Sequence, residues 1–323
     1  MPDKSDRREF LQLAGLGAAG LMAAAAPAAA AAPEAAPEAA PVVAGTMGAR
    51  FRALLQKRDP FEAIAAYDVM TCRIVEQLGF PALYMGGSLA ADYNGEPAWL
   101  TTPSERVAYV EHIAQRVGIP TLADIDDGGD AMSVYRTTKM MERAGAGAIH
   151  ILDANVGPMG RALGVIPVSK MIDKIHAAVD ARSDMVVTVR CGAAGTEGKD
   201  RAIERAVEYA RAGVETIWFG GMTFADLPRV ADAIKIPVTA QMQSSTPMST
   251  ARESKVTVAV YASLLQNVAY GAVYDAVMEL KTTGLMVKAA PPTTGLGNRI
   301  PELKLKLQQV PDAAERGKKY NVG

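Results

Sequence analysis

The strongest constraint on the fold is a unit that the chain repeats eight times, in which a short apolar run precedes a stretch with the periodicity of an amphipathic helix. Such runs predict strands with both faces buried, as in a parallel sheet covered by helices. Eight units in about 240 residues favour an α/β fold of the (β/α)8 or TIM-barrel type over a doubly wound sheet. The predicted strands are Ala63–Tyr67, Ala82–Gly87, Thr121–Asp126, Ala148–Asp153, Val186–Cys191, Thr216–Gly220, Pro237–Gln241 and Val256–Tyr261.

The segments between these runs have the pattern of helices that pack on a sheet. In residues 201–212, apolar side chains fall on one stripe and charged side chains lie opposite, as such packing requires. Asp130 precedes an apolar-periodic stretch and is predicted to cap its N-terminus. The predicted helices are Pro103–Val117, Ala131–Ala144, Val168–Arg182, Arg201–Ala212 and Phe224–Ile234, with Leu264–Leu280 as a long apolar final helix.

The first 46 residues differ in composition from the rest. Asp6-Arg7-Arg8-Glu9-Phe10-Leu11 precedes an alanine- and glycine-rich apolar run, which predicts a twin-arginine export signal over residues 1–32. A membrane anchor or a disordered alanine-rich tail is the alternative. We expect a linker over residues 33–46, the barrel over 47–288 and a tail over 289–323. The mature protein is then expected to be periplasmic, with no stable membrane span.

Charge and cysteine content narrow the classes of function. The 323 residues include 34 basic and 35 acidic side chains, a balance that argues against binding to nucleic acid. Cys72 and Cys191 are the only cysteines, so neither a disulfide framework nor a four-thiolate zinc site is possible.

Polar residues gather at the predicted C-terminal ends of the strands, where TIM barrels carry their active sites. Asp124 and Asp126 end the third predicted strand, and alternate residues of a strand point to one side, so both carboxylates are expected to share a ligand. Paired carboxylates suit Mg2+ or Mn2+. The alternative is a turn stabilised by aspartate side chains.

Two further segments suggest recognition of an anion. Arg190 ends an apolar strand, where its guanidinium is predicted to bind a carboxylate or phosphate, unless it forms a structural ion pair. Gly86-Gly87-Ser88 is predicted to bring backbone N–H groups close to an oxyanion. Other candidates at strand ends are Tyr67 and His150 for catalysis and Asp153 and Gln241 for substrate binding. For His150, a structural imidazole is the alternative.

In this order, these segments resemble the isocitrate lyase / phosphoenolpyruvate mutase family over roughly Arg50 to Gly284. Ala123-Asp124-Ile125-Asp126 resembles the Asp-x-Asp metal motif of that family, and Arg190 resembles its carboxylate-binding arginine. Further similar segments are Ala65-Ala66-Tyr67-Asp68, Gly79–Tyr84, Ala144–Ile151 and Gly198–Gly213. The resemblance implies a TIM barrel that makes or cleaves C–C or P–C bonds in 2-oxo or 2-hydroxy acids through an enolate held by Mg2+.

The chain also departs from the family pattern. The lyase branch carries an acid–base cysteine in the loop after strand four, whereas Ala154–Arg161 contains none. Leu152 and Gly220 stand where the family has glutamates, Gln241 where it has asparagine and Gly86 where it has serine. Cleavage of isocitrate or methylisocitrate through a cysteine acid is therefore not expected, and Cys191 is expected to be buried packing.

Two functions remain open. The first is a Mg2+- or Mn2+-dependent lyase for a small 2-oxo or 2-hydroxy acid, acting by retro-aldol cleavage or decarboxylation, with Asp153 assisting the metal pair and Tyr67 orienting substrate or passing a proton. The second is an exported carboxylate-binding protein that has lost the chemistry. Family members exchange a final helix between subunits, so we expect a dimer or tetramer with a swapped last helix.

Overall fold

The computed structural model describes residues 45–287 and 300–320 of the chain. The strands are β1 (Phe61–Ala65), β2 (Ala82–Met85), β3 (Thr121–Asp124), β4 (Ala148–Leu152), β5 (Ala154–Val156), β6 (Ala162–Val165), β7 (Val186–Cys191), β8 (Thr216–Phe219), β9 (Val238–Gln241) and β10 (Val256–Tyr261). Eight of them form a closed parallel barrel in the order β1-β10-β9-β8-β7-β4-β3-β2, while β5 and β6 pair separately and antiparallel. The predicted TIM barrel is confirmed.

Helices surround the barrel and alternate with its strands. They are α1 (Met47–Lys57), α2 (Val69–Gln77), α3 (Gly87–Asn94), α4 (Pro103–Ala114), α5 (Ala131–Arg143), α6 (Val168–Ala181), α7 (Lys199–Arg211), α8 (Leu227–Ile234), α9 (Met248–Glu253), α10 (Leu264–Thr283), α11 (Ile300–Leu307) and α12 (Val310–Lys319). Local chemistry sets several helix starts. Thr102 and Glu105 form a capping box at α4, and Asp130 accepts a hydrogen bond from the Ser133 N–H at α5, so the predicted cap is correct.

All eight predicted strands are present, but the first begins two residues earlier than predicted, at Phe61 instead of Ala63. It also ends two residues earlier, at Ala65, so Tyr67 lies beyond the end of β1. The β5–β6 pair was not predicted, and it lies in the segment where the chain departs from the family pattern.

Helix α1 covers the N-terminal end of the barrel. Phe51 is fully buried, and the guanidinium of Arg52 lies 2.5 Å from Asp184 and 2.6 Å from Glu215. Asp184 lies two residues before β7, and Glu215 immediately precedes β8. Because this end is closed, the C-terminal end is where loops are free to form a site.

Helix α10, in contrast to α1, is mostly exposed. In this 20-residue helix only Gln266 is buried, and the side chains of Val268, Val273 and Tyr274 are all exposed. The final helix predicted from the sequence is present and ends at Thr283. No helix within residues 45–287 or 300–320 is long and apolar enough to cross a bilayer. The predicted signal over residues 1–32 and nearly all of the linker lie outside the described residues.

Candidate active site

Three side chains from neighbouring strands meet at the C-terminal end of the barrel. The Nε2 of His150 in β4 lies 2.9 Å from the Oδ1 of Asp124, the last residue of β3. The hydroxyl of Tyr84 in β2 lies 3.3 Å from Asp124 Oδ2 and 3.3 Å from His150 Nε2. All three residues are buried, so they form one polar cluster at the base of the mouth.

Backbone N–H groups hold the Asp124 carboxylate in place. Gly87 N donates to Oδ2 over 3.0 Å, and Asp126 N donates to Oδ1 over 2.8 Å. Burial opposes ionisation of Asp124, but the charge and hydrogen bond of His150 and these two N–H groups outweigh it, and the pKa lies below its usual range. Asp124 is therefore a fixed negative charge.

Asp126 lies just past β3, where the chain turns. It adopts a left-handed conformation with φ 51°, so strand alternation is the wrong reason for the pairing of the two aspartates. The carboxylates nevertheless converge: a Cβ at Gly87 would lie 3.3 Å from Asp124 Oδ2 and 3.2 Å from Asp126 Oδ1. Burial and the charge of Asp124 raise the pKa of Asp126, while an ion pair with Arg106 opposes that shift.

The indole of Trp218, in β8, joins this cluster to Arg190. It stacks on His150 with 5.3 Å between ring centroids and meets Tyr84 edge-on at 5.4 Å. The guanidinium carbon of Arg190, at the end of β7, lies 5.0 Å from the centroid of the indole. This distance is typical of a cation–π contact. The positive charge of Arg190 also acts on the Tyr84 hydroxyl, where it opposes the rise in the pKa of Tyr84 that burial and Asp124 cause.

Arg190 has no carboxylate partner among the described residues; its one specific contact is with the indole. The alternative of a structural ion pair is therefore not what the structure shows. A half-exposed guanidinium held on an aromatic face at the mouth is available to an anionic ligand.

Comparison with known proteins agrees with this geometry. The family model described as phosphoenolpyruvate phosphomutase matches residues 51–281. The chain belongs to this family. The resemblance drawn from the sequence is thereby confirmed, and Asp124 and Arg190 both lie within the matched part of this phosphomutase-family barrel.

Relatives of this family member include lyases. The chain is 36% identical over 204 residues to a 2-methylisocitrate lyase of Aeropyrum pernix, covering 60% of this chain and 65% of the relative. It is 38% identical over 179 residues to a 2,3-dimethylmalate lyase of Eubacterium barkeri, covering 53% and 62%. The chain thus spans just under two thirds of the length of both proteins.

A solved structure is also similar to this chain. A phosphonopyruvate hydrolase, determined in complex with oxalate and Mg2+, superposes with a TM-score of 0.74 at 26% identity, covering 85% of this chain and 99% of the other.

Three residues of the site were not predicted: Tyr84, Trp218 and Arg106. Tyr84 and Trp218 lie inside apolar strands, where an aromatic residue is ordinary core. The sequence pattern could have indicated a role for Arg106, because this residue occupies the buried face of α4 together with Tyr109, Val110 and Ile113. An arginine on the apolar stripe of a helix requires a buried partner.

The prediction for Gly86-Gly87-Ser88 needs correction. The Gly87 N–H donates to Asp124 and so is not free for an oxyanion. The carbonyl of Gly86 accepts from Leu89 N at the start of α3, and the Ser88 side chain is exposed with no hydrogen bond to the described residues. This segment holds Asp124 in place. The glycine at position 87 is needed because a Cβ there would collide with the Arg106 guanidinium.

Asp153 is also placed differently from the prediction. Its carboxylate accepts from Gly192 N over 2.8 Å and from the Tyr209 hydroxyl over 3.2 Å. Arg205 donates to Tyr209 and to the carbonyl of Ile166, which follows β6. Asp153 thus ties the base of the β5–β6 pair to α7, and these contacts show neither the predicted role in substrate binding nor the predicted assistance to a metal.

Two other candidates make no contact with the cluster. The ring of Tyr67 lies 6.5 Å from that of Tyr270 in α10, and Gln241 is exposed at the end of β9. Cys191 is buried with its thiol towards α7, and burial raises its pKa, so it is packing rather than a thiolate.

Of the two carboxylates, Asp126 has an oxygen that is open to a hard divalent cation, since both oxygens of Asp124 already accept hydrogen bonds. The Oδ1 of Asp126 accepts no hydrogen bond from the described residues, and its side chain is 40% exposed to the mouth. No group of three or more histidine, cysteine, aspartate or glutamate side chains in residues 45–287 or 300–320 is arranged to hold a metal. One or two carboxylates completed by water and a ligand are usual for Mg2+, so Asp124 and Asp126 remain the predicted metal ligands.

Proposed function

We propose that this protein is a divalent-metal-dependent lyase that acts on a small 2-oxo or 2-hydroxy carboxylic acid by retro-aldol cleavage or decarboxylation. The observation that carries the proposal is the pairing, around one indole, of an unpartnered arginine with two converging aspartates. Lyases among the relatives and the oxalate-bound hydrolase structure support the same class of substrate.

Arg190 would bind and orient the substrate carboxylate. A guanidinium can donate two parallel hydrogen bonds to a carboxylate, which fixes its plane as well as its position. The indole of Trp218 holds the guanidinium in place before substrate arrives, so less conformational entropy is lost on binding.

The other residues would manage the charge that develops as the bond breaks. A divalent cation held by Asp126 and Asp124 would supply positive charge next to the enolate oxygen. Burial and the charge of Asp124 raise the pKa of Tyr84 well above its usual value, so its hydroxyl keeps its proton at neutral pH. Tyr84, His150 and Trp218 also shield the base of the mouth from water, which strengthens the electrostatic interactions there.

The cysteines bear on the choice of reaction. Burial raises the pKa of both Cys72 and Cys191, and both thiols are buried. A reaction that uses a cysteine acid is therefore not expected of this chain. Decarboxylation of a 2-oxo acid with a second carboxylate β to its carbonyl releases CO2 and leaves an enolate that can take its proton from water. Retro-aldol cleavage of a 2-hydroxy acid also requires a group that removes the hydroxyl proton.

The direct test is turnover of a panel of acids by the purified protein with Mg2+ or Mn2+. The panel contains oxaloacetate, substituted malates, 2-methylisocitrate and phosphonopyruvate, and release of pyruvate or oxalate is measured. At least one acid should turn over. Arg190→Met should then lower kcat/KM by about 100-fold, because truncating a charged partner typically costs 2–5 kcal/mol.

Arg229→Met is the matched control, since Arg229 is exposed in α8 and pairs with Asp200 on the surface. It should keep the activity of the parent. Binding of a dicarboxylate without turnover of any panel member would instead indicate a carboxylate-binding protein.

We also propose that the protein acts after export. Support comes from the order of the twin-arginine pair, the apolar run and the small residues in the first 32 positions. Cell fractionation of the tagged full chain is the direct check.

A further inference from the structure

We propose that Arg106 is a built-in counter-cation of the Asp124–Asp126 pair, so that the mouth holds a divalent cation firmly only together with a dianionic ligand. This inference rests on the proposed function, because it concerns the same carboxylates and the same class of ligand. It adds a role for a residue that lies on a helix outside the barrel strands.

The placement of Arg106 is the first observation. Its side chain is only 6% exposed, and Nη2 binds both the Asp126 carboxylate and, over 2.8 Å, the carbonyl of Ala98. Nη1 is buried and has no hydrogen-bond partner among the described residues. A buried guanidinium donor without a partner is costly unless something completes it.

The unpartnered Nη1 lies where the two carboxylates converge. A Cβ on Gly87 would collide with Nη1, and the same Cβ would lie 3.2 Å from Asp126 Oδ1 and 3.3 Å from Asp124 Oδ2. The guanidinium therefore packs against the α-carbon of Gly87 at the edge of the predicted metal site.

The formal charges at the mouth then balance before any ligand binds. Asp124 and Asp126 each carry a negative charge, and Arg106 and Arg190 each carry a positive one. The next acidic residue, Asp127, lies near Lys174, whose charge interacts with that of Asp127 and whose Nζ donates to the Asp127 backbone carbonyl over 2.8 Å.

When the charges of the site balance, binding of one charged ligand creates a net charge that binding of a second, oppositely charged ligand removes. Added to these four side chains, a divalent cation alone would leave two uncompensated positive charges, and a dicarboxylate alone would leave two negative ones. Bound together, they restore the balance. Each should therefore raise the affinity for the other, and by the same factor.

The test measures binding, not activity. Calorimetric titrations give the Kd of Mn2+ without and with saturating oxalate, for the parent and for Arg106→Met, which removes the charge but keeps the length. In the parent, oxalate should tighten Mn2+ binding. In Arg106→Met, Mn2+ alone should bind about 10-fold tighter than in the parent, and the oxalate effect should shrink by a similar factor.

Arg106→Lys is the matched control, because it keeps the charge and should keep both values of the parent. Arg106→Gln is a second neutral variant that retains a donor for Asp126 and should behave like Arg106→Met. If Arg106 only stabilised the backbone at Ala98, its replacement would lower Tm without changing the Kd of Mn2+. A thermal melt of each variant therefore distinguishes the two roles.

Two outcomes would overturn the inference. If the parent binds Mn2+ and oxalate together but both neutral variants keep its Mn2+ affinity, Arg106 is not the counter-cation, and the proposed function is untouched. If the parent binds Mn2+ neither alone nor with oxalate, the inference and the proposed metal-dependent function both fall.

Discussion

Single residues of the surrounding helices stabilise the barrel, and Glu142 in α5 is the clearest case. Its carboxylate accepts hydrogen bonds from three successive backbone N–H groups ahead of β7, those of Ser183, Asp184 and Met185, over 2.7, 2.6 and 2.9 Å. Burial opposes ionisation, but these donors outweigh it, so the pKa of Glu142 lies below its ordinary value of 4.5.

Glu142→Gln should therefore destabilise the protein at neutral pH. A carboxylate with a depressed pKa contributes stability above the unfolded pKa, and that contribution is lost as pH falls through the folded pKa. Because Glu142 is partly exposed, solvent screening weakens its interactions. The expected loss is therefore about 1–2 kcal/mol of unfolding free energy at pH 7. Below about pH 4 the gap between parent and variant should narrow, which urea unfolding at both pH values would measure.

Glu111→Gln is the matched control for this experiment, since Glu111 is exposed on α4 and bonds only the Gln115 side chain in the described part of the chain. It should show no comparable difference at either pH. A Glu142→Gln variant as stable as the parent at pH 7 would show that the three N–H groups are equally well satisfied by the amide.

Individual residues also show why part of the site could not be predicted from the sequence. Asp124 and Arg190 were found because they end apolar strands, and barrel topology brings strand ends together. Arg106 reaches the mouth from a helix, and the position of Asp126 depends on one left-handed residue in a turn. Neither feature follows from the periodicity of the chain.

At the scale of elements, the periodic strands and helices could be predicted, because each must bury one or both faces. The β5–β6 pair could not, since its short strands, Ala154–Val156 and Ala162–Val165, bury little and carry no strong alternation. It is held by Arg205 and by Asp153, whose carbonyl accepts from Ile166 N over 2.8 Å. These are contacts between segments distant in sequence.

Helix α10 presents an exposed apolar face. Val268, Val273 and Tyr274 are each exposed by more than half, although the helix is mostly apolar. Exposed apolar patches of this kind usually mark a protein–protein contact. We propose that α10 packs against a second copy of the chain, as the sequence predicts.

Light scattering after size exclusion should accordingly report a dimer or tetramer for the parent. Val273→Asp places a charge in the proposed contact and should shift the protein to a smaller mass, because an unpaired buried charge is costly. Lys281→Gln, near the end of the same helix, should leave the mass unchanged. A parent protein that is monomeric at micromolar concentration would contradict the proposed contact.

For the whole molecule, the residues at one end of the barrel contribute to stability, and those at the other end form the candidate active site. Helix α1 and the ion pairs of Arg52 close the N-terminal end. The C-terminal end gathers Asp124, Asp126, Arg106 and Arg190 around aromatic rings. Fold class followed from the order of elements alone, whereas the reaction depends on a few side chains at this end, as is general for TIM barrels.

The most direct measurement is a crystal structure of the protein grown with Mn2+ and oxalate, with anomalous diffraction used to locate manganese. One manganese should lie against the carboxylates of Asp124 and Asp126, and oxalate should bridge it to the guanidinium of Arg190. Manganese bound elsewhere, or oxalate seated away from Arg190 with both aspartates unliganded, would contradict the account.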